Sequence, residues 1–354
     1  MSPTQSHSRL SYGLYLWAYM PIFDPFNANG VLICITDSLV FQGKKNNLTR
    51  SPMSITYKNL VFRGGGVKGI AYAGAIDVLN EKGLYDGIER VAGVSAGAIT
   101  SLLVGLRYTP ADIQKVLSET SFADFMDSPN AARVLTRYGY YKGEFALNWL
   151  HELVAKSPLG LDKNATFADL KKAGGRDLYM FTTDVNSHSS VELSERKTPN
   201  TMIAEAARAS MSIPMFFEAF QFSNSQPNDH LYVDGGMVYN YPMSIFDQPE
   251  FLPAGQTVNQ ETLGFYFVPP KDAPPVLHEF GYDHIIKFVV NNVETIMMTQ
   301  VIDFHRDPTD VERTVQVSDC GVSATDFNLT QEQQKELVNS GKTSTAQFLQ
   351  EKGV

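Results

Sequence analysis

Gly93-Val94-Ser95-Ala96-Gly97 places a serine between two glycines, in the G-x-S-x-G spacing of a nucleophile turn. A predicted strand precedes the motif and a predicted helix follows it. The serine hydroxyl would therefore be exposed at a helix N-terminus, where free amides and the helix dipole favour negative charge. The alternative is a plain glycine-rich turn with a capping serine. The strand-turn-helix context favours the nucleophile.

A serine nucleophile needs a base, and Asp234 is the candidate. It follows a short predicted strand at 231–233 and precedes two glycines, which predicts a position at the carboxyl end of the sheet, where sites of open α/β folds collect. A carboxylate close to a serine oxygen can take its proton directly. The alternative for Asp-Gly-Gly is a simple turn. The late histidines, His278, His284 and His305, fit the role less well because none follows a strand in a glycine-flanked loop.

The third motif is a glycine-rich loop, Gly64-Gly65-Gly66-Val67-Lys68-Gly69. Its letters satisfy the G-x-G-x-x-G pattern of dinucleotide-binding folds, and Glu89 follows twenty residues later. That fold requires the acid at the end of the second strand. Glu89 lies at the start of the strand, so the dinucleotide interpretation fails. The loop instead offers backbone amides for an oxyanion beside the serine.

The elements that must position these motifs form a βαβα unit. An apolar run at Asn59–Phe62 predicts a strand, residues 67–82 a helix closed by Gly83, residues 88–92 a second strand, and the next residues a helix to Arg107. This order implies a parallel sheet. Further strands are predicted at 178–182, 231–233, 263–268 and 314–317. Further helices are predicted within 110–175, around a loop at 138–141, and at 199–210, 285–301, 330–340 and 343–351.

Composition describes an ordinary globular chain. Its 354 residues are 43% hydrophobic and 19% charged, which argues against disorder. The formal charge of −9, without a long Lys/Arg run, argues against nucleic acid as a partner and against a polybasic membrane anchor. Two cysteines, Cys34 and Cys320, and scattered histidines predict neither a disulfide framework nor a metal site. No apolar run is long enough to predict a spanning helix.

Together the three motifs resemble the patatin-like phospholipases, whose pattern is a G-G-G-x-[KR]-G loop, a G-x-S-x-G turn and a late D-G-[GA]. Residues 64–69, 93–97 and 234–236 match it, and the flanking residues 207–217 and 240–242 match as well. The resemblance covers about residues 57–350. It implies a three-layer α/β fold, in which helices flank a mostly parallel central sheet and helical insertion or lid elements are added.

The resemblance also implies hydrolysis of lipid acyl esters without metal or cofactor. Ser95 would be the nucleophile and Asp234 its base. The oxyanion hole would be formed by the amides of Gly64, Gly65, Gly66 and Ala96. Lys68 would either contact anionic headgroups or stabilise the loop. The expected activity is that of a phospholipase A or lysophospholipase acting on membrane glycerolipids through an acyl-Ser95 intermediate. An acyltransferase, a neutral-lipid hydrolase and a catalytically silent lipid-binding scaffold are the alternatives.

Two domains are expected. Residues 1–52 form an N-terminal appendage of unknown role, and residues 53–354 form the catalytic domain, with a helical lid region at about 110–175 and closing C-terminal helices. Residues 10–20 loosely resemble a signal peptide, although a strand or helix packed on the domain is the simpler interpretation. The segment that precedes the aspartate motif contains five apolar side chains that would either line a channel for an acyl chain or belong to the ordinary core. They are Met211, Ile213, Met215, Phe216 and Phe217.

The expected partners are a phospholipid or other glycerolipid substrate and, peripherally, a membrane surface. An activating protein partner is a further expectation, because some toxin-like members of the resembled family are described as needing one. The expected location is the cytoplasm or a membrane periphery, or another cell to which the protein is delivered as an effector.

Overall fold

A mostly parallel sheet of seven strands organises the computed structural model, which describes residues 56–223, 229–270 and 285–354. The strands of the described chain are β1 (Asn59–Phe62), β2 (Arg90–Val94), β3 (Gly139–Tyr141), β4 (Asp177–Asp184), β5 (Ser189–Ser194), β6 (Met215–Phe217), β7 (Tyr232–Asp234), β8 (Thr262–Val268) and β9 (Thr314–Ser318). The order in the main sheet is β5-β4-β2-β1-β8-β9, and β7 also pairs with β4. The predicted fold class, a mostly parallel central sheet flanked by helices, is confirmed.

Strand β1 lies in the middle of the sheet and pairs in parallel with β2 and β8. All four of its residues are buried, as expected for a strand covered on both faces by helices. The register sets Phe62 opposite Gly93. The glycine-rich loop after β1 and the serine turn after β2 therefore leave the sheet side by side.

Strand β7 brings Asp234 to the same edge by an antiparallel route. Its register sets Asp234 opposite Thr182 of β4, and the preceding residue, Phe181, pairs with Val94 of β2. Strand β5 pairs with the opposite edge of β4 over these residues. Strands β2 and β7 therefore share one edge of β4, and Asp234 lies just beyond the last residue of β2 along that edge. Asp234 thus lies beside Ser95, although β7 runs antiparallel to β4 and is not one of the parallel strands of the sheet.

Ten α-helices accompany the sheet in the described chain: α1 (Ala71–Glu81), α2 (Ala96–Gly105), α3 (Pro110–Glu119), α4 (Ala131–Arg137), α5 (Glu144–Ala155), α6 (Phe167–Lys172), α7 (Ile203–Ser210), α8 (Ile285–Arg306), α9 (Pro308–Glu312) and α10 (Gln331–Glu351). Helices α3 to α6 fall within the predicted lid region. None of the helices in the described ranges combines the length and the hydropathy needed to cross a bilayer.

Helix α10 is continuous, so the prediction of two short helices at 330–340 and 343–351 is wrong. Gly341, which lies between the two predicted helices, is a contact point with α1. A Cβ at Gly341 would lie 1.9 Å from the carbonyl oxygen of Ala71, and a Cβ at Gly74 would lie 2.0 Å from that of Val338. The two glycines let the helix backbones touch, and that packing outweighs the low helix propensity of glycine.

The predicted loop at 138–141 is also wrong in part, because residues 139–141 form β3 and pair in parallel with β6. Tyr138 ends α4 with a φ of 63°, which turns the chain into the strand. Gly139 then packs against β6, where a Cβ would lie 2.2 Å from the carbonyl oxygen of Phe217.

The appendage (1–52), residues 10–20, His278 and His284 lie outside the described residues.

Candidate active site

Ser95 occupies the strained turn between β2 and α2. Its φ of 54° and ψ of −122° are unusual for a residue with a side chain. The turn closes tightly, since a Cβ at Gly93 would lie 2.2 Å from the carbonyl oxygen of Gly97, and one at Gly97 would lie 2.2 Å from that of Phe62. Both glycines of the motif are therefore required by close packing. The geometry is that of a nucleophile turn.

Ser210, at the end of α7, holds this turn in place. The backbone N–H of Ser95 donates to Ser210 Oγ at 2.9 Å, and that hydroxyl donates in turn to the carbonyl oxygen of Phe181 at 2.6 Å. One buried hydroxyl thus joins α7, β4 and the serine turn. Ser210 was not predicted as a site residue from the sequence, although it lies in the flanking segment 207–217 that carries the resemblance.

Asp234 is fully buried and held by few groups. Its Oδ1 accepts a hydrogen bond from the N–H of Gly236 at 2.8 Å, and its own N–H donates to the carbonyl oxygen of Ser212 at 2.8 Å. Burial raises the pKa of the Asp234 carboxyl from 3.8 to about 7, although hydrogen bonding to Ser95 and Gly236 acts in the opposite direction. A carboxyl with this pKa exchanges protons readily near neutral pH.

The Ser95 hydroxyl and the Asp234 carboxyl face each other. The hydroxyl lies close enough to lower the pKa of the carboxyl. Oδ2 of Asp234 nevertheless has no hydrogen bond of normal geometry within the described chain, so the contact is longer or less aligned than a formed bond. Catalytic hydrogen bonds are often loose until substrate binds. The structure thus brings together the two residues that the sequence predicted as nucleophile and base.

The glycine-rich loop passes directly beside Ser95, since a Cβ at Gly64 would lie 3.2 Å from the Ser95 Cβ. The amide of Gly64 already donates to the carbonyl oxygen of Asn240 at 3.1 Å, so it cannot serve as the oxyanion donor predicted from the sequence. No acceptor within the described residues takes the amides of Gly65, Gly66 or Ala96. These three remain available to a ligand.

Lys68 points into the protein. Its Nζ lies 2.8 Å from Oδ2 of Asp319, and the two side chains are only 9% and 7% exposed. Of the two roles considered for Lys68, contact with a headgroup and support of the loop, this geometry favours support.

Helix α8 lies over the aspartate turn and joins it to the loop. Gln300 accepts from the N–H of Asn240 at 2.9 Å and donates to the carbonyl oxygen of Gly236 at 2.8 Å. Because Asn240 also accepts from Gly64, one chain of hydrogen bonds connects α8, the turn after Asp234 and the glycine loop. From the sequence, Asn240 was only one of the flanking residues that carry the resemblance, and Gln300 was not predicted as a site residue.

A narrow apolar pocket opens beside Ser95, with a volume of about 30 Å³. Its apolar side chains are those of Val67, Ala96, Ile99, Phe122, Phe125, Met211, Ile213, Phe217 and Phe327. Three of the five predicted channel walls, Met211, Ile213 and Phe217, line it. Met215 and Phe216 are not among the lining residues, and Phe216 stacks behind Phe327 with ring centroids 5.0 Å apart. Phe122 and Phe125 belong to the predicted lid region, whereas Phe327 was not predicted.

No group of three or more histidine, cysteine, aspartate or glutamate side chains in the described ranges is arranged to hold a metal ion. His305 lies in the last turn of α8.

A serine on a strained strand-to-helix turn of a mostly parallel α/β sheet is an arrangement typical of hydrolases. The family model for patatin-like phospholipases matches residues 60–247, just over half of the chain. The chain belongs to this family. Membership supports lipid ester hydrolysis as its activity.

The chain is also similar to individual proteins. The chain is 28% identical over 325 residues to the uncharacterized protein YqhO of Bacillus subtilis (strain 168), which covers 83% of this chain and 99% of YqhO. It is 23% identical over 191 residues to the protein named "Probable lipid hydrolase 463L" of Invertebrate iridescent virus 6, covering 53% of this chain and 63% of the viral protein. The crystal structure of VipD from Legionella pneumophila superposes with a TM-score of 0.54 at 18% identity, over 83% of this chain and 67% of VipD, which shows a shared fold.

Proposed function

We propose that this chain is a phospholipase A or lysophospholipase that hydrolyses acyl esters of membrane glycerophospholipids through an acyl-Ser95 intermediate. One observation carries the proposal. Ser95 lies on a positive-φ turn and faces a buried Asp234 whose pKa is raised to about 7, and an apolar pocket opens at the same point.

Asp234 acts as the general base in the first step. The ionised carboxylate takes the proton of the Ser95 hydroxyl while the serine oxygen bonds to the ester carbonyl carbon, and the carbonyl electrons move onto oxygen. A base is most effective when its pKa lies near the working pH. Burial places the pKa of Asp234 in that range.

The developing oxyanion is bound by the amides of Gly65, Gly66 and Ala96. All three lack an acceptor in the described chain, and Ala96 begins α2, whose N-terminus favours negative charge. Each donor of this type contributes on the order of a hundredfold to a thousandfold in rate.

The intermediate then collapses and the bond to the glycerol oxygen breaks, with the proton on Asp234 passing to that oxygen. The lysolipid leaves, and the acyl group stays on Ser95. Water attacks the acyl carbon while Asp234 takes its proton. The fatty acid departs and the proton returns to Ser95 Oγ, which restores the enzyme.

The apolar pocket receives the acyl chain. Because it is narrow, we expect the rings of Phe122 and Phe125 to shift when a chain enters. Phe125 also packs against Phe145, which is 41% exposed. Leu135 and Tyr138 of the same lid region are exposed as well. These side chains support peripheral contact with a bilayer, from which a lipid would reach the pocket.

The decisive experiment measures fatty acid released from mixed phospholipid vesicles by mass spectrometry, with and without a eukaryotic cell extract. The variants are Ser95→Ala and Asp234→Asn. Their matched controls are Ser101→Ala, a buried serine of helix α2, and Asp184→Asn, a buried aspartate of β4. We expect both site variants to lose at least about a thousandfold in rate and both controls to keep activity.

Release that survives either site substitution would refute the proposed dyad. Release only in the presence of extract would indicate an activating partner, and acyl transfer to added glycerol or lysolipid would indicate a transferase. No release from folded protein under any of these conditions would refute hydrolysis.

A further inference from the structure

A buried ion pair ties the glycine-rich loop to a distant segment of the chain. Lys68 and Asp319 are separated by 251 residues in sequence, and their charged atoms are 2.8 Å apart. Asp319 follows directly after β9, outside the residues matched by the family model. A buried pair of this kind does not by itself add much stability, but breaking it leaves an uncompensated charge inside the protein.

The same segment, residues 319–327, contacts the loop a second time. The N–H of Val67 donates to the carbonyl oxygen of Ala324 at 3.1 Å. Gly66 has a φ of 57°, and a Cβ there would lie 1.9 Å from the same carbonyl oxygen. The segment therefore contacts the backbone of Gly66, whose amide we assign to the oxyanion hole. Phe327 of the same segment lines the pocket.

Asp319 is itself well fixed. Its N–H donates to the carbonyl oxygen of Val268 in β8 at 2.9 Å, and its Oδ1 accepts from the N–H of Gly321 at 3.0 Å. Its other oxygen remains for Lys68. The Asp319 carboxylate is thus held in a fixed position relative to the sheet. Its ion pair with Lys68 in turn holds the lysine, and with it the glycine-rich loop.

We propose that Asp319 is a positioning residue of the oxyanion hole, which through Lys68 keeps the amides of Gly65 and Gly66 directed at the reacting carbonyl. The inference rests on the proposed function for its catalytic consequence. A misplacement of about 1 Å in a catalytic group can cost on the order of a hundredfold in rate. Regular backbone structure within the loop is limited to a short 3-10 helix, Gly66–Ile70, which leads into α1, so side-chain contacts such as the Lys68–Asp319 pair contribute to its position.

The test compares Asp319→Asn, Lys68→Met and the double variant. Asparagine removes the charge but keeps an oxygen that can accept from Gly321, so the variant is expected to fold. We expect kcat to fall about 10- to 100-fold with KM little changed, because oxyanion donors act in the transition state. The double variant should lose no more than the worse single variant, since each removes the same interaction.

The matched control is Asp247→Asn, which breaks the partly buried ion pair between Asp247 and Arg313 and leaves Arg313 paired with Asp310. Arg313 lies just before β9, and the pair does not touch the glycine loop. We expect this variant to lose stability but keep kcat. A purely structural role for Asp319 would instead make Asp319→Asn and Asp247→Asn alike in both measurements.

The rate of amide hydrogen exchange over residues 64–69 is a second measurement, and it does not depend on catalytic activity. Exchange in this loop should speed up in Asp319→Asn and stay unchanged in Asp247→Asn. An unchanged loop, or an active enzyme whose kcat survives Asp319→Asn, would overturn the inference. A wild-type protein without hydrolytic activity would refute the proposed function, while the exchange measurement would still decide whether Asp319 holds the loop.

Discussion

Replacing Asp234 with asparagine should make the protein more stable at neutral and alkaline pH while removing its activity. The carboxyl is fully buried and accepts a single hydrogen bond of normal geometry, from Gly236. Burial in such a site penalises the ionised form, which is why the pKa rises from 3.8 to about 7. Asparagine keeps the shape and the Oδ1 acceptor but never carries the charge.

The sign and size of the effect follow from proton linkage. Between pH 3.8 and about 7 the folded state holds the Asp234 proton while the unfolded state releases it, so the free energy of unfolding falls as pH rises. Above about pH 7 both states are ionised and the cost is constant. A shift of about 3 pKa units at about 1.36 kcal/mol each gives about 4 kcal/mol. We therefore expect Asp234→Asn to be more stable by up to this amount at pH 8 and equal to wild type near pH 4.

Urea unfolding at pH 4, 6 and 8 would measure this difference. For a domain of this size, with an unfolding entropy of about 2.1 cal/mol/K per residue, 4 kcal/mol corresponds to roughly 6 °C in melting temperature. Asp184→Asn is the control of opposite sign. Burial alone would raise the pKa of Asp184, but hydrogen bonds from His230, Ser187 and Asn186 together hold it below its usual value. That ionised group stabilises the fold above about pH 4, and the stabilisation is lost as pH falls.

A result in which Asp234→Asn is no more stable than wild type at pH 8 would refute the reasoning. It would mean that the folded protein satisfies the carboxylate better than the structure indicates. The base would then have a pKa near its ordinary value, and its strength in the first step of the proposed mechanism would be correspondingly low.

Three further predictions concern the same framework. First, kcat/KM should fall as pH drops through about 7, because only ionised Asp234 can act as the base; a profile flat from pH 5 to 8 would contradict this. Second, Ser210→Ala should cost about 1–3 kcal/mol in unfolding free energy and lower kcat, since the N–H of Ser95 loses its acceptor; unaltered urea midpoints and rates would exclude that role. Third, Gly341→Ala should cost about 1–3 kcal/mol through overpacking against α1 and leave kcat intact, and a melting temperature equal to that of wild type would show that the helices can separate freely.

The sequence predicted the elements next to the chemistry best. Strand β1 was predicted with its observed ends, and β2 and α2 within two residues, because apolar runs and glycines mark their limits. The failures occurred where tertiary packing decides the local structure. Two helices were predicted on either side of Gly341, yet the helix is continuous there and the glycine lets α10 contact α1. The tyrosines at 138–141 suggested a loop, and only pairing with β6 makes part of that segment a strand.

The site divides along the same line. Short motifs were enough to predict the serine, the aspartate and the glycine loop. Each of them needs a particular local backbone conformation, which appears in the sequence as a characteristic spacing of glycines. The side chains that hold these motifs in position belong to no local sequence motif. Ser210 acts on Ser95 across 115 residues and Asp319 on Lys68 across 251, and either resembles an ordinary polar residue until the fold brings it into contact. Local sequence therefore specifies which atoms can react, whereas their alignment depends on long-range contacts. That is why we expect Asp319→Asn to lower kcat although it leaves all three motifs intact.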